Sequence, residues 1–234
     1  MLTSDQNRKI NEIVEEFKEA ADFYRMEYSE DLMGMFRDFG CMLLLKCKVD
    51  TEGKADLERL LEGRHKLKGT VKRQLMTVSE ELAQLWAPGE QDGSGDTGEY
   101  EGSQNVREMF QTALEEIFHF CLYSKGGKNR YLLPEETAKP LLRLLTFPEG
   151  MMAGNEGLMV LDTQCGAGSA LMAASRYLKN PRLMGYEKDE EMWAAAVIMS
   201  QLFGLEMELH LEDGARADLY ESCDLVISNP IYGT

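Results

Sequence analysis

Residues 161–171, "LDTQCGAGSAL", decide the fold class of this chain. They join a short apolar run, residues 158–161, to a helical pattern that begins near residue 169. Gly166 and Gly168 stand where that helix opens, and glycine lets a ligand come close to the backbone. Ligands of open parallel sheets bind outside the carboxyl ends of the strands, at turns of this kind. The stretch therefore predicts a strand–turn–helix unit with a ligand at its turn.

Short apolar runs continue to alternate with helical patterns after this stretch. The predicted strands are residues 158–161, 182–186, 207–211 and 224–228, and the predicted helices between them are 169–179 and 189–203. This β-α-β-α-β order is typical of an open parallel sheet. We therefore predict the α/β fold class, with an N-terminal helical bundle followed by an incomplete Rossmann-like domain built on a parallel sheet.

The N-terminal part of the chain carries helical patterns only. Residues 3–86 contain four apolar stripes at helical spacing, and Thr3 with Gln6 forms a capping box before the first stripe. Residues 87–104, "APGEQDGSGDTGEYEGSQ", are rich in Gly, Ser and acids and lack periodicity. We predict a helical domain at 1–87, a flexible acidic linker or loop at 88–104, and an α/β half-domain at 105–234.

Composition limits the class of protein and its partners. The 234 residues carry a net charge of −16, and no apolar run approaches the roughly 20 residues of a membrane span. The five cysteines form no C-x-x-C pair and the three histidines are scattered. We therefore expect a cytoplasmic protein with free thiols, no metal and no membrane contact. Its charge repels phosphate, so any contact with nucleic acid requires a local basic patch or a partner.

Acidic residues end three of the predicted strands: Asp162, Glu187 and Asp213. A dinucleotide fold expects glycine where Leu171 stands, and Asp162 would repel a phosphate. A carboxylate there suits a cationic ligand, and S-adenosylmethionine carries both a sulfonium and an ammonium group. Glu187 is then placed for ribose hydroxyls and Asp213 for the adenine amino group. The alternative is that these acids only cap the following helices.

The fourth predicted strand leads into Asn229-Pro230-Ile231-Tyr232. The amide oxygen of Asn229 and the carbonyl oxygen of Pro230 can each accept a hydrogen bond from an amino group on a ring, while Tyr232 stacks on the ring. Such bonds orient the nitrogen lone pair toward a sulfonium methyl. Methyl transfer is then accelerated by orientation and electrostatic stabilisation. The alternative is a plain turn, which Asn-Pro often forms.

These motifs resemble the N6-adenine DNA methyltransferases, most closely the methylation (modification) subunit of type I restriction-modification systems. Asp162, Cys165, Gly166 and Gly168 match the family's glycine motif, and Asn229, Pro230 and Tyr232 match its N-P-P-[FY] motif. The upstream "YLLP", residues 131–134, stands where the family has an aromatic motif ending in proline.

The resemblance implies a cofactor, catalytic residues and partners. S-adenosylmethionine would be held by the residues of the glycine motif, by Glu187 and Asp213, and by Pro134 with its neighbours. An adenine flipped out of double-stranded DNA would be held by Asn229, Pro230 and Tyr232. The expected assembly includes a DNA-specificity subunit, a restriction subunit and a homodimeric arrangement.

The sequence also departs from the family. Ile231 replaces the second proline, Leu133 replaces a threonine, and Thr163 and Gln164 replace a proline and a small residue. The chain stops soon after the N-P-x-Y motif, so we expect a truncated form or gene fragment, or a partner that supplies the missing strands. Two alternatives stay open: a non-catalytic remnant that binds cofactor or a partner, and a methyltransferase for glutamine amides or RNA guanine.

Overall fold

The computed structural model describes residues 2–29, 31–50, 52, 54–62, 67–86, 100–124, 137, 139–142, 156–215 and 223–229. The chain divides into two compact units, Met1–Lys128 and Asn129–Thr234. The described part of the first unit is helical, and that of the second combines helices with strands.

Within its described residues, the first unit contains helices α1 (Ser4–Glu27), α2 (Met33–Lys46), α3 (Ala55–Glu62), α4 (Gly69–Leu85) and α5 (Tyr100–Leu122). The predicted capping box of α1 is confirmed. The backbone N–H of Gln6 donates to Thr3 Oγ1 at 3.3 Å, and the N–H of Thr3 donates to Gln6 Oε1 at 2.7 Å. These bonds satisfy donors that have no partner inside the helix.

Aromatic side chains form the centre of the helical unit. The ring of Phe17 in α1 meets two other rings edge-on. The distance between ring centroids is 5.0 Å to Phe39 of α2 and 6.4 Å to Phe120 of α5. Phe36 lies 5.1 Å from Phe118. Offset and edge-to-face pairs of this kind add to the free energy gained by burial.

Helix α5 belongs to this helical unit, which differs from the predicted domain division. The sequence assigns residues 105–123 to the α/β half, because they follow the polar stretch. In the structure α5 packs against α1, α2 and α4. It also begins at Tyr100, inside the predicted linker. The cause is tertiary, because the apolar stripe of α5 is buried against helices that precede the linker.

The second unit contains four parallel strands: β1 (Met159–Asp162), β2 (Arg182–Tyr186), β3 (Met207–His210) and β4 (Leu225–Val226). The strand order is β3-β2-β1-β4. In register, Leu161 lies between Met184 of β2 and Val226 of β4. The predicted α/β class with a parallel sheet is confirmed. Strand β4 is shorter than predicted, since its ladder with β1 ends near Ile227, whose N–H donates to the Leu161 carbonyl at 2.9 Å.

Two helices connect the first three strands: α6 (Ser169–Tyr177) and α7 (Glu190–Phe203). Parallel neighbours need such crossovers. Helix α6 packs on β1 and β2, and α7 packs on β3. The Trp193 indole N–H of α7 donates to the Leu209 carbonyl at 3.3 Å. Residues 137 and 139–142 are also helical, and they lie in the stretch after Pro134 where the sequence predicts a helix. Across the described residues, no helix is both long and apolar enough to span a membrane.

Candidate functional site

The carboxyl ends of β1, β2 and β3 carry the three predicted acids. Asp162 is the last residue of β1, Glu187 directly follows β2, and Asp213 lies in the loop after β3. Since these strands are parallel neighbours, all three acids stand at one edge of the sheet. The sequence predicts this arrangement through the βαβ pattern.

The glycine turn between β1 and α6 has a left-handed backbone at both of its glycines. Gly166 has φ 56° and Gly168 has φ 81°, both in the left-handed region that favours glycine. The Gly168 N–H donates to the Cys165 carbonyl at 2.8 Å, which closes the turn. Helix α6 starts at the next residue, and no side chain caps it. Its first N–H groups are therefore left without a capping side chain at this edge.

Glu187 connects this turn to the loop after β2. Its Oε2 accepts from the Gly166 N–H at 2.9 Å, and its Oε1 accepts from the Asp189 N–H at 2.7 Å. Both carboxylate oxygens therefore hold backbone groups, one in each of two loops. The sequence predicts Glu187 as a ligand of ribose hydroxyls, and no local pattern indicates its bonds to the two loops.

Asp162 is buried at the base of the site, with 2% of its surface exposed. Burial raises the pKa of its carboxyl to about 7. Hydrogen bonds from the Gln164 N–H and the Ser228 hydroxyl act in the opposite direction, and the nearby Glu187 charge raises the pKa further. A positive charge beside Asp162 would favour its ionised form.

Cys165 lies beneath the turn and is buried. Its sulfur is one of the atoms that a side chain at Gly185 would meet, at 2.9 Å, and its N–H donates to the Tyr186 carbonyl at 2.9 Å. Burial, with the charges of Asp162 and Glu187, raises the pKa of its thiol well above the usual range. The thiol is therefore neutral, so it suits a packing role better than nucleophilic attack.

The loop after β3 lies directly against the loop after β1. A methyl group at Gly214 would stand 2.3 Å from the Thr163 carbonyl oxygen and 2.6 Å from Tyr186 Cβ. Asp213 is exposed, and its Oδ1 accepts from the Ala215 N–H at 3.1 Å. Sequence reasoning missed Gly214, although the Asp-Gly pair is a turn signal that could have drawn attention to it.

Asn229 follows β4 at the same edge of the sheet and is exposed. Pro230, Ile231, Tyr232 and Pro134 lie outside the described residues, so their predicted roles stay predictions. Among the described residues, no group of three or more His, Cys, Asp or Glu side chains is placed to hold a metal ion.

No protein-family model and no curated protein matches this sequence. Several solved structures share its fold, and two of them are methyltransferases. One is a Listeria monocytogenes protein assigned to the class I S-adenosylmethionine-dependent methyltransferases, with 17% identity and a TM-score of 0.56 over 95% of this chain. The other is the methyltransferase subunit of a type I restriction-modification system from Streptococcus thermophilus, with 16% identity and a TM-score of 0.51 over 94%.

At this level of identity the likeness establishes the fold, which is the Rossmann-like fold of class I methyltransferases. This chain covers 59% of the Listeria protein and 63% of the Streptococcus subunit, so it spans less than two thirds of either.

Proposed function

We propose that this chain binds S-adenosylmethionine at the carboxyl edge of the sheet and serves in methyl transfer to N6 of adenine in DNA. The observation that carries the proposal is the Glu187 bridge to the Gly166 N–H beside the buried Asp162. The bridge places a glycine turn beside two acids, Glu187 and Asp162, at the edge of the sheet where α/β proteins bind ligands. The two structural neighbours support the cofactor, because each is named as a methyltransferase.

Each acid at this edge has a part in binding the cofactor. Asp162 faces a cationic group of S-adenosylmethionine, and that charge draws its carboxyl toward the ionised form. Glu187 takes the ribose hydroxyls with the lone pairs that its two backbone bonds leave free, since a carboxylate has about four acceptor positions. Asp213 accepts from the adenine amino group. Gly166, Gly168 and Cys165 form the turn over which the cofactor lies, and Pro134 borders it.

The target amino group is held by the motif after β4. The amide oxygen of Asn229 and the carbonyl oxygen of Pro230 each accept a hydrogen bond from this amino group, and Tyr232 stacks on the ring that carries it. Held in this way, the amino nitrogen would direct its lone pair at the methyl group that bound S-adenosylmethionine would supply, with a neutral thioether as the leaving group. The nitrogen carries the positive charge until it releases one proton to solvent. The protein supplies orientation and electrostatic stabilisation.

Partners follow from the charge of the chain and from the type I neighbour. A net charge of −16 opposes binding to the DNA backbone, so a separate specificity subunit would supply most DNA contacts. A restriction subunit and a second copy of the chain complete the proposed assembly.

Calorimetric titration of S-adenosylmethionine into the full chain tests the cofactor site. We expect micromolar binding that weakens roughly 10-fold or more in Asp162→Asn, because a hydrogen bond to a charged group contributes about 1.5–3 kcal/mol. The matched control is Glu206→Gln, which neutralises an exposed acid before β3 and should bind as the wild type does. Absence of binding to a cooperatively folded wild-type chain would refute the cofactor proposal.

Transfer of a labelled methyl group tests the substrate. Double-stranded DNA, a glutamine-containing peptide and a guanine-containing RNA would be offered to the chain, alone and with a specificity subunit. Label in DNA adenine that depends on Asn229 supports the proposal, and label in the peptide or RNA instead would replace it. Cofactor binding with no transfer to any of the three would favour a non-catalytic cofactor-binding module.

A further inference from the structure

His210 ends β3 at the carboxyl edge of the sheet, next to the acid that bridges the two loops. Its ring stacks on the ring of Tyr186, the last residue of β2, with 4.5 Å between ring centroids and 17° between ring planes. Tyr186 and His210 are also register partners in the parallel ladder. The stack therefore joins the ends of β2 and β3 at the point where both loops begin.

The backbone bond that follows this stack holds Glu187. The Glu187 N–H donates to the His210 carbonyl at 2.9 Å, while its carboxylate accepts from the Gly166 and Asp189 N–H groups. Glu187 is thus fixed at its backbone by β3 and at its side chain by two loops. The place of its carboxylate therefore depends on how firmly the ends of β2 and β3 are held together.

Tyr186 connects the stack to the rest of this edge. Its carbonyl accepts from the Cys165 N–H at 2.9 Å, and a methyl group at Gly214 would stand 2.6 Å from its Cβ. Tyr186 is buried, whereas His210 is half-buried. A displacement of Tyr186 would therefore disturb the glycine turn and the loop after β3, and the His210 ring opposes that displacement.

Glu208 orients the His210 ring. Because an ionised carboxylate only accepts hydrogen bonds, His210 Nε2 donates to Glu208 Oε1, at 2.9 Å. The His210 and Glu208 side chains are 32% and 59% exposed, and a charged contact at this exposure contributes little. Stacked aromatic rings add to the free energy of burial, so the stack is the main restraint on the ring.

We propose that His210 is a positioning residue, which holds Glu187 in place at the cofactor edge through its stack on Tyr186. The role of Glu187 toward S-adenosylmethionine rests on the proposed function, whereas its dependence on His210 rests on the contacts above.

Hydrogen exchange, measured amide by amide by NMR in the full chain, tests this role. In His210→Ala, we expect the Glu187 and Gly166 amides to exchange about 2- to 10-fold faster, which is the factor that an aromatic pair contributes. His210→Phe keeps an aromatic ring without the bond to Glu208, so it should retain exchange rates close to those of the wild type.

The Arg182 amide is the internal control for a general loss of stability. It lies at the other end of β2 and donates to the Leu158 carbonyl at 2.8 Å, so its exchange rate should stay unchanged in His210→Ala. Equal acceleration at Arg182 and Glu187 would show a purely structural role and overturn the proposal. Wild-type exchange at Glu187 in this variant would overturn it as well.

His119→Ala is the matched control variant. His119 is an exposed histidine of α5 whose ring centroid lies 6.0 Å from that of Tyr123, and its removal should leave the exchange rates in the second unit unchanged. The wild type offers a test that needs no variant. The His210 ring should shift the ring-proton resonances of Tyr186 upfield, and ordinary chemical shifts there would overturn the stack even if His210→Ala does not fold.

Calorimetric titration of S-adenosylmethionine into the same variants connects the stack to the cofactor. We expect the affinity to fall about 2- to 10-fold in His210→Ala and to recover in His210→Phe. Wild-type affinity in His210→Ala, despite faster exchange at Glu187, would overturn the link to the cofactor edge. Failure of the wild type to bind would refute the proposed function, and the exchange rates would still decide whether His210 positions Glu187.

Discussion

The carboxylate of Glu187 and the backbone N–H of Gly166, 21 residues apart in sequence, are joined by a hydrogen bond of 2.9 Å. The same carboxylate accepts from the Asp189 N–H with its other oxygen. A single side chain thus connects the turn after β1 with the loop after β2. The candidate site depends on this bridge, since each loop carries residues proposed to touch the cofactor.

Glu187→Gln should open the glycine turn. A glutamine side chain has one acceptor oxygen, so it can keep one of the two backbone bonds, and its NH₂ group would face the other N–H. We expect faster hydrogen exchange at the amide of Gly166 or Asp189, and S-adenosylmethionine affinity lowered about 10-fold or more. Amide exchange by NMR and calorimetry measure the two effects. Glu206→Gln is the control, and wild-type exchange at both amides in Glu187→Gln would contradict the bridge.

The buried Asp162 should make unfolding depend on pH in a defined direction. Its folded pKa, about 7, lies above the ordinary value of 3.8. Between these values the folded state binds more protons than the unfolded state, so this group lowers the free energy of unfolding as pH rises from about 4 to about 7. The full effect is at most roughly 4 kcal/mol, at about 1.4 kcal/mol per pH unit.

Urea unfolding of the wild type and Asp162→Asn at about pH 5 and pH 8 measures this effect. Trp193 is buried in the second unit, and a Trp86→Phe background leaves it the only tryptophan of the chain. As pH rises, the free energy of unfolding of Asp162→Asn should increase relative to that of the wild type. A difference that is equal at both pH values would show that Asp162 titrates normally.

Gly168→Ala and Gly204→Ala should separate backbone strain from ligand binding. Both glycines have positive φ, 81° and 68°, and each borders a helix of the second unit. Alanine in this region costs about 1–2 kcal/mol, so we expect similar losses of stability. Only Gly168 lies in the glycine turn, so only Gly168→Ala should weaken S-adenosylmethionine binding. Urea unfolding and calorimetry measure the two effects, and equal affinities in the two variants would contradict the site assignment.

Gly214→Ala should push the loop after β3 away from the loop after β1. The added methyl group would stand 2.3 Å from the Thr163 carbonyl oxygen, and a backbone atom cannot yield as a flexible side chain does. We expect a loss of about 1–3 kcal/mol in unfolding free energy and weaker binding of the cofactor. Ala215→Ser adds one atom at the exposed next residue and is the control. Wild-type stability of Gly214→Ala would show that the two loops are not in contact.

Much of the second unit could be predicted because its signals are local. The period of apolar residues and the glycines at 166 and 168 predict strands, helices and the turn within short windows of sequence. The prediction that helix 105–123 belongs to the α/β half differs from the structure, since the polar stretch before it suggested a boundary. Burial of Phe118 and its neighbours against α1 and α2 places that helix in the first unit, and no local pattern reports this packing.

The sequence by itself determined the order of elements, the glycine turn after the first strand and the placing of three acids at the ends of parallel strands. Only the tertiary structure decided how these groups interact. The raised pKa of Asp162 arises from burial, and the bonds from the Gly166 N–H to Glu187 and from the Thr163 hydroxyl to Ser228 join residues that are far apart in the chain. Periodicity records which face of an element is apolar, whereas contacts and desolvation depend on which elements meet in space.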